Sequence, residues 1–457
     1  MYIASARIWS LRTSVWEGRF FESWCTVEYT IRCASTSDFT FIAAEDACLS
    51  ADLGSGTLSR LLAILGGEPS FEEPLHVGAP NVGDRAAFFA RMTTMFDRNW
   101  LTNRGPLDVE LESRLADYLG VRHCVTMCNG TIALEIAIRA LGLKGEVIIP
   151  AFTFIATAHA LQWHEVRPVF CDIESDSCNL DPTKVEAMIT PRTSGIIGVH
   201  LWGRSCDTEA LETIAKRHGI EVIFDAAHAF GCTHKGKKVG SFGHAEIFSF
   251  HATKFFNTFE GGALATNDEE LADRVRLMKN FGFGGVDDVT CIGINGKMTE
   301  AAAAMGLTNL DSLSAFVDSN RRNYNAYRKN MAPLPGLRVF EYDENEACNY
   351  QYVVVLVDEK KSGLSRDELV AALHAEGVLA RRYFYPGCHR AEPYRSYFPN
   401  AGLLLPETER LASQVLLLPT GSAVEPEAVA TICGILADAM SSRDRVRQAH
   451  QQSLASG

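Results

Sequence analysis

Four short segments carry side chains suited to chemistry on a single bound group. Asp225 closes the apolar run Glu221 to Phe224 in VIFDAAHAFG. A carboxylate at a strand end can hold a cationic ring nitrogen, and it can equally cap a helix. Lys254 follows a second apolar run, Ile247 to Phe250, in FSFHATK. A lysine just past an apolar strand, inside a pocket, has its pKa lowered and becomes a Schiff-base amine. Most lysines simply face solvent. Asn129-Gly130-Thr131 stands between a strand and a helix. Free N–H groups and the helix dipole favour an anion there, and the Thr131 hydroxyl adds a donor. Asn and Thr also serve as plain N-caps. Ser249, inside its apolar run, can donate to the same anion. Phe154, in PAFTF, offers a flat face past another strand end, although aromatics near a sheet are more often core. Each residue alone has a structural explanation. Together they supply an anion cradle, an acid, an amine and a stacking surface, which are what pyridoxal 5'-phosphate needs.

Two rival chemistries are weaker. An apolar strand followed by an acidic residue also occurs in helicases, but a P-loop is then required. The nearest string, Gly293-Ile294-Asn295-Gly296-Lys297-Met298, lacks its spacing and hydroxyl. His228 and His251 have no cysteine or carboxylate at metal-ligand spacing, so no metal is expected.

The elements that must position these groups alternate. Strands are predicted at His123 to Met127, Glu146 to Ile149, Val166 to Cys171, Gly195 to Leu201, Glu221 to Phe224, Ile247 to Phe250 and Gly262 to Ala265. Helices are predicted between them, including Asp108 to Leu119, Ile132 to Leu141, Phe152 to Trp163 and Thr208 to His218. Strands that are continuous apolar runs predict an α/β fold with a mostly parallel sheet covered on both faces. Ligands of such sheets bind beyond the carboxyl ends of the strands, where the four segments fall. A smaller α/β unit is expected after the long helix ending at Met331. It would contain strands at Tyr352 to Val357 and Leu379 to Tyr385, and helices at Arg366 to Glu376 and Glu425 to Ala439. The expected organisation is a leader or misassigned start over 1–70, a large domain over 73–315, a small domain over 316–445 and a frayed tail over 446–457.

The chain of 457 residues carries 43 basic and 56 acidic side chains, a net charge of −13. That balance gives no general footprint for nucleic acid or an anionic membrane. No apolar run is long enough to span a bilayer. The N-terminus lacks the apolar core of a secretory signal. The 13 cysteines are scattered and form no CxxC pair, as in reduced thiols of a cytoplasmic protein.

From about Glu73 to Ala439 the chain resembles the sugar aminotransferases of the DegT/DnrJ/EryC1/StrS group, fold-type I enzymes that use pyridoxal phosphate. The resemblance is carried in order by WLTN with GPL, NGTIAL, PAFTFIATAHA, DAAHAFG, FSFHATK with EGGALAT, and GINGKMTEAAAAMG. It implies a large domain with a mixed, mostly parallel sheet between helices plus a smaller C-terminal α/β domain. It implies that Lys254 bonds covalently to the cofactor, that Asp225 pairs with the pyridinium nitrogen and that His228 contacts the ring hydroxyl. Phe154 takes the stacking position, and Gly130, Thr131 and Ser249 bind the phosphate. Asn295 matches an asparagine that reaches the neighbouring subunit's phosphate, which implies a homodimer with shared active sites. Lys297 stands where the family usually has arginine.

Lysine rather than histidine at position 254 separates this sequence from a related dehydratase branch and implies a transaminase. The implied reaction moves an amino group from L-glutamate, leaving 2-oxoglutarate, to a nucleotide-linked keto-deoxysugar. The C-terminal stretch Arg381 to Arg390 resembles that of dTDP-4-keto-6-deoxyhexose aminotransferases. Trp100, Arg381, Tyr383, His389 and Tyr394 are the candidate sugar and diphosphate contacts, arginine suiting a diphosphate through its planar fork. For each, an ordinary place in a basic strand edge is an equal alternative. A 3-keto sugar and a non-catalytic regulator on the same fold are the competing readings.

Overall fold

The computed structural model describes residues 60–456. Seven strands form one sheet: β1 (His123–Met127), β2 (Glu146–Pro150), β3 (Arg167–Cys171), β4 (Thr193–Val199), β5 (Glu221–Asp225), β6 (Ala245–Ser249) and β7 (Gly262–Thr266). Their order across the sheet is β1-β7-β6-β5-β4-β2-β3. β7 runs antiparallel to both neighbours, and every other pair is parallel.

The apolar runs are explained by burial on both faces. Val147 and Ile149 of β2 lie in one buried cluster with Ala133, Ile136 and Ala137 of α2 (Gly130–Ala140). Ile148, pointing the other way, packs with Leu211 and Ile214 of α4 (Thr208–His218). Helices α1 (Pro106–Leu119) and α3 (Ile155–Trp163) precede the first strand and follow β2. Each such aliphatic side chain contributes about 1.5–3 kcal/mol over an exposed one. The α/β architecture expected from the strand pattern is the one observed.

The chain after the sheet contributes a second, antiparallel sheet of β8 (Leu337–Val339), β9 (Val353–Val357) and β10 (Val415–Leu418). The fold departs from the sequence-based expectation here. Leu379 to Tyr385 is not a strand. Only Val378–Leu379 pairs, parallel to Leu75–His76, and Arg381 makes an isolated bridge to Leu417. The aromatic side chains that follow leave the ladder because they pack on one another at the strand ends of the large sheet, with Tyr383 stacked on Phe384 at 5.3 Å.

The expected frayed tail over 446–457 is instead helical through α6 (Arg443–Ser456), beyond α5 (Arg366–Ala375). Val446 is fully buried, and the Arg447 guanidinium reaches Glu368 at 3.2 Å and the Gly363 carbonyl at 2.6 Å. One buried anchor and two polar ties outweigh a polar composition. The end of the expected leader is also built in. The Glu376 carboxylate accepts from Ala63 N–H at 2.7 Å and from Ser70 N–H at 2.8 Å, and Leu62 joins the core beneath. The rest of that leader lies outside the described residues. Among the described residues no helix is long and apolar enough to cross a membrane.

Candidate functional site

The carboxyl ends of β5 and β6 lie side by side, since Asp225 pairs in register with Ile247. Asp225 is the last residue of β5 and is buried. Its Oδ2 accepts from the Thr157 hydroxyl at 2.8 Å and its Oδ1 from Ala227 N–H at 3.1 Å. Burial raises its pKa, opposed by those two bonds and by the charge of Lys254. Thr157 lies in α3, whose N-cap is Phe154, so one short helix places both residues. The predicted helix start at Phe152 is thus three residues early.

Lys254 follows β6. Burial lowers its amine from 10.5 to about 8, against the opposing pull of Asp225. Its Nζ lies 3.4 Å from the Tyr352 hydroxyl. His228, three residues beyond Asp225, is buried edge-on to Tyr352, with ring centroids 4.9 Å apart. Its Nδ1 accepts from Trp202 N–H at 3.3 Å. Burial, then Lys254, hold this imidazole well below its usual pKa. A neutral ring whose Nδ1 accepts carries its proton on Nε2, which makes Nε2 a donor.

The anion cradle is formed by backbone approach. Asn129 caps α2, its Oδ1 accepting from Ile132 N–H at 2.8 Å. Gly130 and Thr131 therefore lie in the first turn of the helix, not before it as predicted, with helix-end N–H groups close by. A Cβ on Gly130 would stand 3.0 Å from Ser249 Cβ, and one on Gly262 would stand 2.6 Å from Gly130 N. Glycine at both positions lets β6 and β7 close on the helix end.

Phe154 is 53% exposed, and its ring lies 6.0 Å from that of Phe384. Phe384 is parallel to the His228 ring at 5.6 Å. The segment carrying it is tied to the end of β2 by Cys388 N–H donating to Ala151 O at 2.8 Å. Tyr383 rides on Phe384, and the Arg381 guanidinium lies 4.9 Å from the Tyr383 ring. Lys254, Asp225, His228, Phe154, Tyr383 and Arg381 thus gather around the strand ends, with Gly130 and Ser249 beside them.

Other expected residues lie elsewhere. His389 is 1% exposed and bonded through Nε2 to Glu409 at 2.9 Å, so it is held in the core rather than offered to a substrate. Tyr394 is likewise buried, paired with His159 at 2.8 Å. Trp100 is exposed on the loop before α1. Asn295 is exposed beside an isolated bridge to Asn280, while Gly296 O accepts from Cys128 N–H next to the cradle. The Lys297 ammonium lies 4.6 Å over the Phe281 ring. Thr157, Tyr352 and Phe384 were missed. Thr157 lies within PAFTFIATAHA and Phe384 within the Arg381 to Arg390 stretch, but neither is singled out there, and Tyr352 lies in no motif; a threonine one turn into an apolar helix after a strand end is a usable signal.

The model of the DegT/DnrJ/EryC1/StrS aminotransferase family matches residues 83–437. The chain belongs to this family. It is accordingly a pyridoxal phosphate-dependent aminotransferase. Relatives of this family member include the dTDP-4-amino-4,6-dideoxy-D-glucose transaminase of Shigella dysenteriae, 37% identical over 350 residues, or 76% of this chain and 94% of that protein. The GDP-perosamine synthase of Caulobacter vibrioides is 37% identical over 305 residues, 65% of this chain and 81% of that one. A solved structure of DesI in the presence of its TDP-sugar product is 49% identical. It covers 86% of this chain and 99% of that one, with a TM-score of 0.81.

Proposed function

We propose that this aminotransferase moves an amino group from L-glutamate to the keto carbon of a nucleotide-linked 4-keto-6-deoxyhexose, with dTDP as the carrier. The observation that carries the substrate class is the likeness to DesI, whose structure was solved in the presence of its TDP-sugar product and which aligns over nearly its whole length.

The residues present fit the cofactor. A buried carboxylate, a half-buried amine lowered to about 8 and a cradle that a Cβ would fill occupy adjoining strand ends. Pyridoxal phosphate supplies an aldehyde that carries the amino group and a ring that withdraws electrons from the reacting carbon. Lys254 Nζ would hold the cofactor between turnovers and, once released, would move a proton from the amino-bearing carbon of the donor to the aldehyde carbon of the cofactor, the shift that leaves the amino group behind. Asp225 accepts from the protonated ring nitrogen. His228 donates from Nε2 to the ring hydroxyl oxygen. Phe154 covers one ring face. The N–H groups of Gly130 and Thr131 and the Ser249 hydroxyl bind the phosphate. Arg381, exposed, and Tyr383, partly buried beside it, receive the sugar nucleotide, and the buried His389 and Tyr394 do not.

Asn295 completes the phosphate site of a second subunit in a homodimer. Support comes from the exposed apolar side chains around it, Phe281, Phe283, Val286, Val289, Ile292 and Ile294. Contiguous exposed apolar surface marks an interaction site. The enzyme is read as a cytoplasmic one, without nucleic-acid or membrane partners.

The test is incubation with L-glutamate and dTDP-4-keto-6-deoxyglucose. A product aminated at C4 by NMR is expected. Amination at C3, or no product, would contradict the proposal. Sedimentation should give a dimer.

A further inference from the structure

Tyr352 belongs to none of the motifs, yet its hydroxyl is 3.4 Å from Lys254 Nζ. Its place is over-determined. It precedes β9, and its carbonyl accepts from the Tyr342 hydroxyl at 2.9 Å. That same hydroxyl lies 3.1 Å from Trp202 O, and Trp202 N–H donates to His228. The Tyr352 ring abuts His228 and is only 7% exposed. One linked set of contacts therefore fixes His228 and the Tyr352 hydroxyl together. A side chain so constrained loses little entropy on making a further hydrogen bond.

We propose that Tyr352 is a positioning residue for the free Lys254 amine. Its hydroxyl accepts a hydrogen bond from Nζ–H whenever that amine is not bonded to cofactor, and so holds Nζ in place while it carries a proton from one carbon to the other. The inference rests on Lys254 being the cofactor-binding amine proposed above. Tyr352 gains and loses no proton in this role. Burial, with Tyr383 nearby, keeps its phenol protonated far above the working range. The groups facing Nζ are the Asp225 carboxylate from β5, the neutral His228 ring and the Tyr352 hydroxyl, with the Tyr383 phenol beyond it. Asp225 attracts the ammonium but is taken up by the cofactor ring. Tyr352 is the uncharged acceptor left to the amine.

Tyr352→Phe keeps the ring against His228 and removes only the hydroxyl. In the apoenzyme, Lys254 is titrated by acetic anhydride labelling from about pH 6 to about pH 10, read by peptide mass spectrometry. Losing the acceptor destabilises the ammonium, so its pKa is expected to fall by about half a unit to one unit. In the holoenzyme, stopped-flow absorbance should show glutamate discharging the cofactor about tenfold more slowly, with the cofactor Kd and the half-saturating glutamate concentration within about twofold of wild type. An unchanged Lys254 titration overturns the proposal. So does a cofactor affinity that falls as far as the rate, which would make Tyr352 a packing residue. A wild-type holoenzyme without a visible band that Lys254→Ala removes overturns both this role and the reading of Lys254. A normal band with unchanged Tyr352→Phe values overturns only the role of Tyr352.

Discussion

The Thr157 hydroxyl donates to Asp225 Oδ2 at 2.8 Å, and Thr153 Oγ1 lies 3.2 Å behind it. The carboxylate is buried, so this hydroxyl and Ala227 N–H replace the water it would otherwise bind. A carboxylate stripped of such a donor is a poorer, worse-aimed partner for a ring nitrogen. Thr157→Val removes the donor at nearly constant volume. A hydrogen bond to a charged group contributes about 1.5–3 kcal/mol, so pyridoxal phosphate should bind about ten- to a hundredfold more weakly. Titration of the apoenzyme with cofactor measures this, and Thr157→Ser should restore the affinity. Wild-type affinity in the valine variant would show that the hydroxyl does not hold Asp225 in its working state.

The Lys254 amine is lowered from 10.5 to about 8, chiefly by burial. Only the neutral amine attacks an aldehyde. The lowered value means that the neutral fraction grows as pH rises through about 8 and is nearly complete above it. The rate at which apoenzyme captures pyridoxal phosphate should follow that curve, as stopped-flow absorbance across pH will show. A rise delayed to the range of a free lysine would mean that the side chain is not desolvated.

Gly130 stands where a Cβ would come within 3.0 Å of Ser249 Cβ. Gly130→Ala should push the helix end away from β6 and open the cradle. Overpacking of this kind costs about 1–3 kcal/mol, so the affinity for pyridoxal phosphate should fall about tenfold. Pyridoxal, which lacks the phosphate, should bind as it does to wild type. Equal losses for both compounds, measured by the same titration, would place the damage outside the phosphate site.

Much of the site was legible because its residues sit just past apolar runs. The positions of Asp225 and Lys254 follow from where β5 and β6 stop, and the cradle from a strand meeting a helix. His228 is marked only by its place in the DAAHAFG motif of the family resemblance. Tyr352 and Phe384 were illegible for the opposite reason. They reach the site from after Met331 through tertiary packing, and neither is set off by spacing. His389 misled because a histidine in a basic, aromatic stretch suggests a ligand contact, whereas Glu409, twenty residues on, claims it in the core. The tail misled in the same way, since its polarity hid the single buried Val446.

The most direct measurement is the visible absorbance of the purified protein, supplied with pyridoxal phosphate, before and after adding L-glutamate. The account predicts a yellow band that glutamate bleaches, and no such band in Lys254→Ala with the fold intact by circular dichroism. Absence of the band in wild type, or its persistence in the alanine variant, would contradict the assignment of Lys254 as the amine on which the chemistry turns.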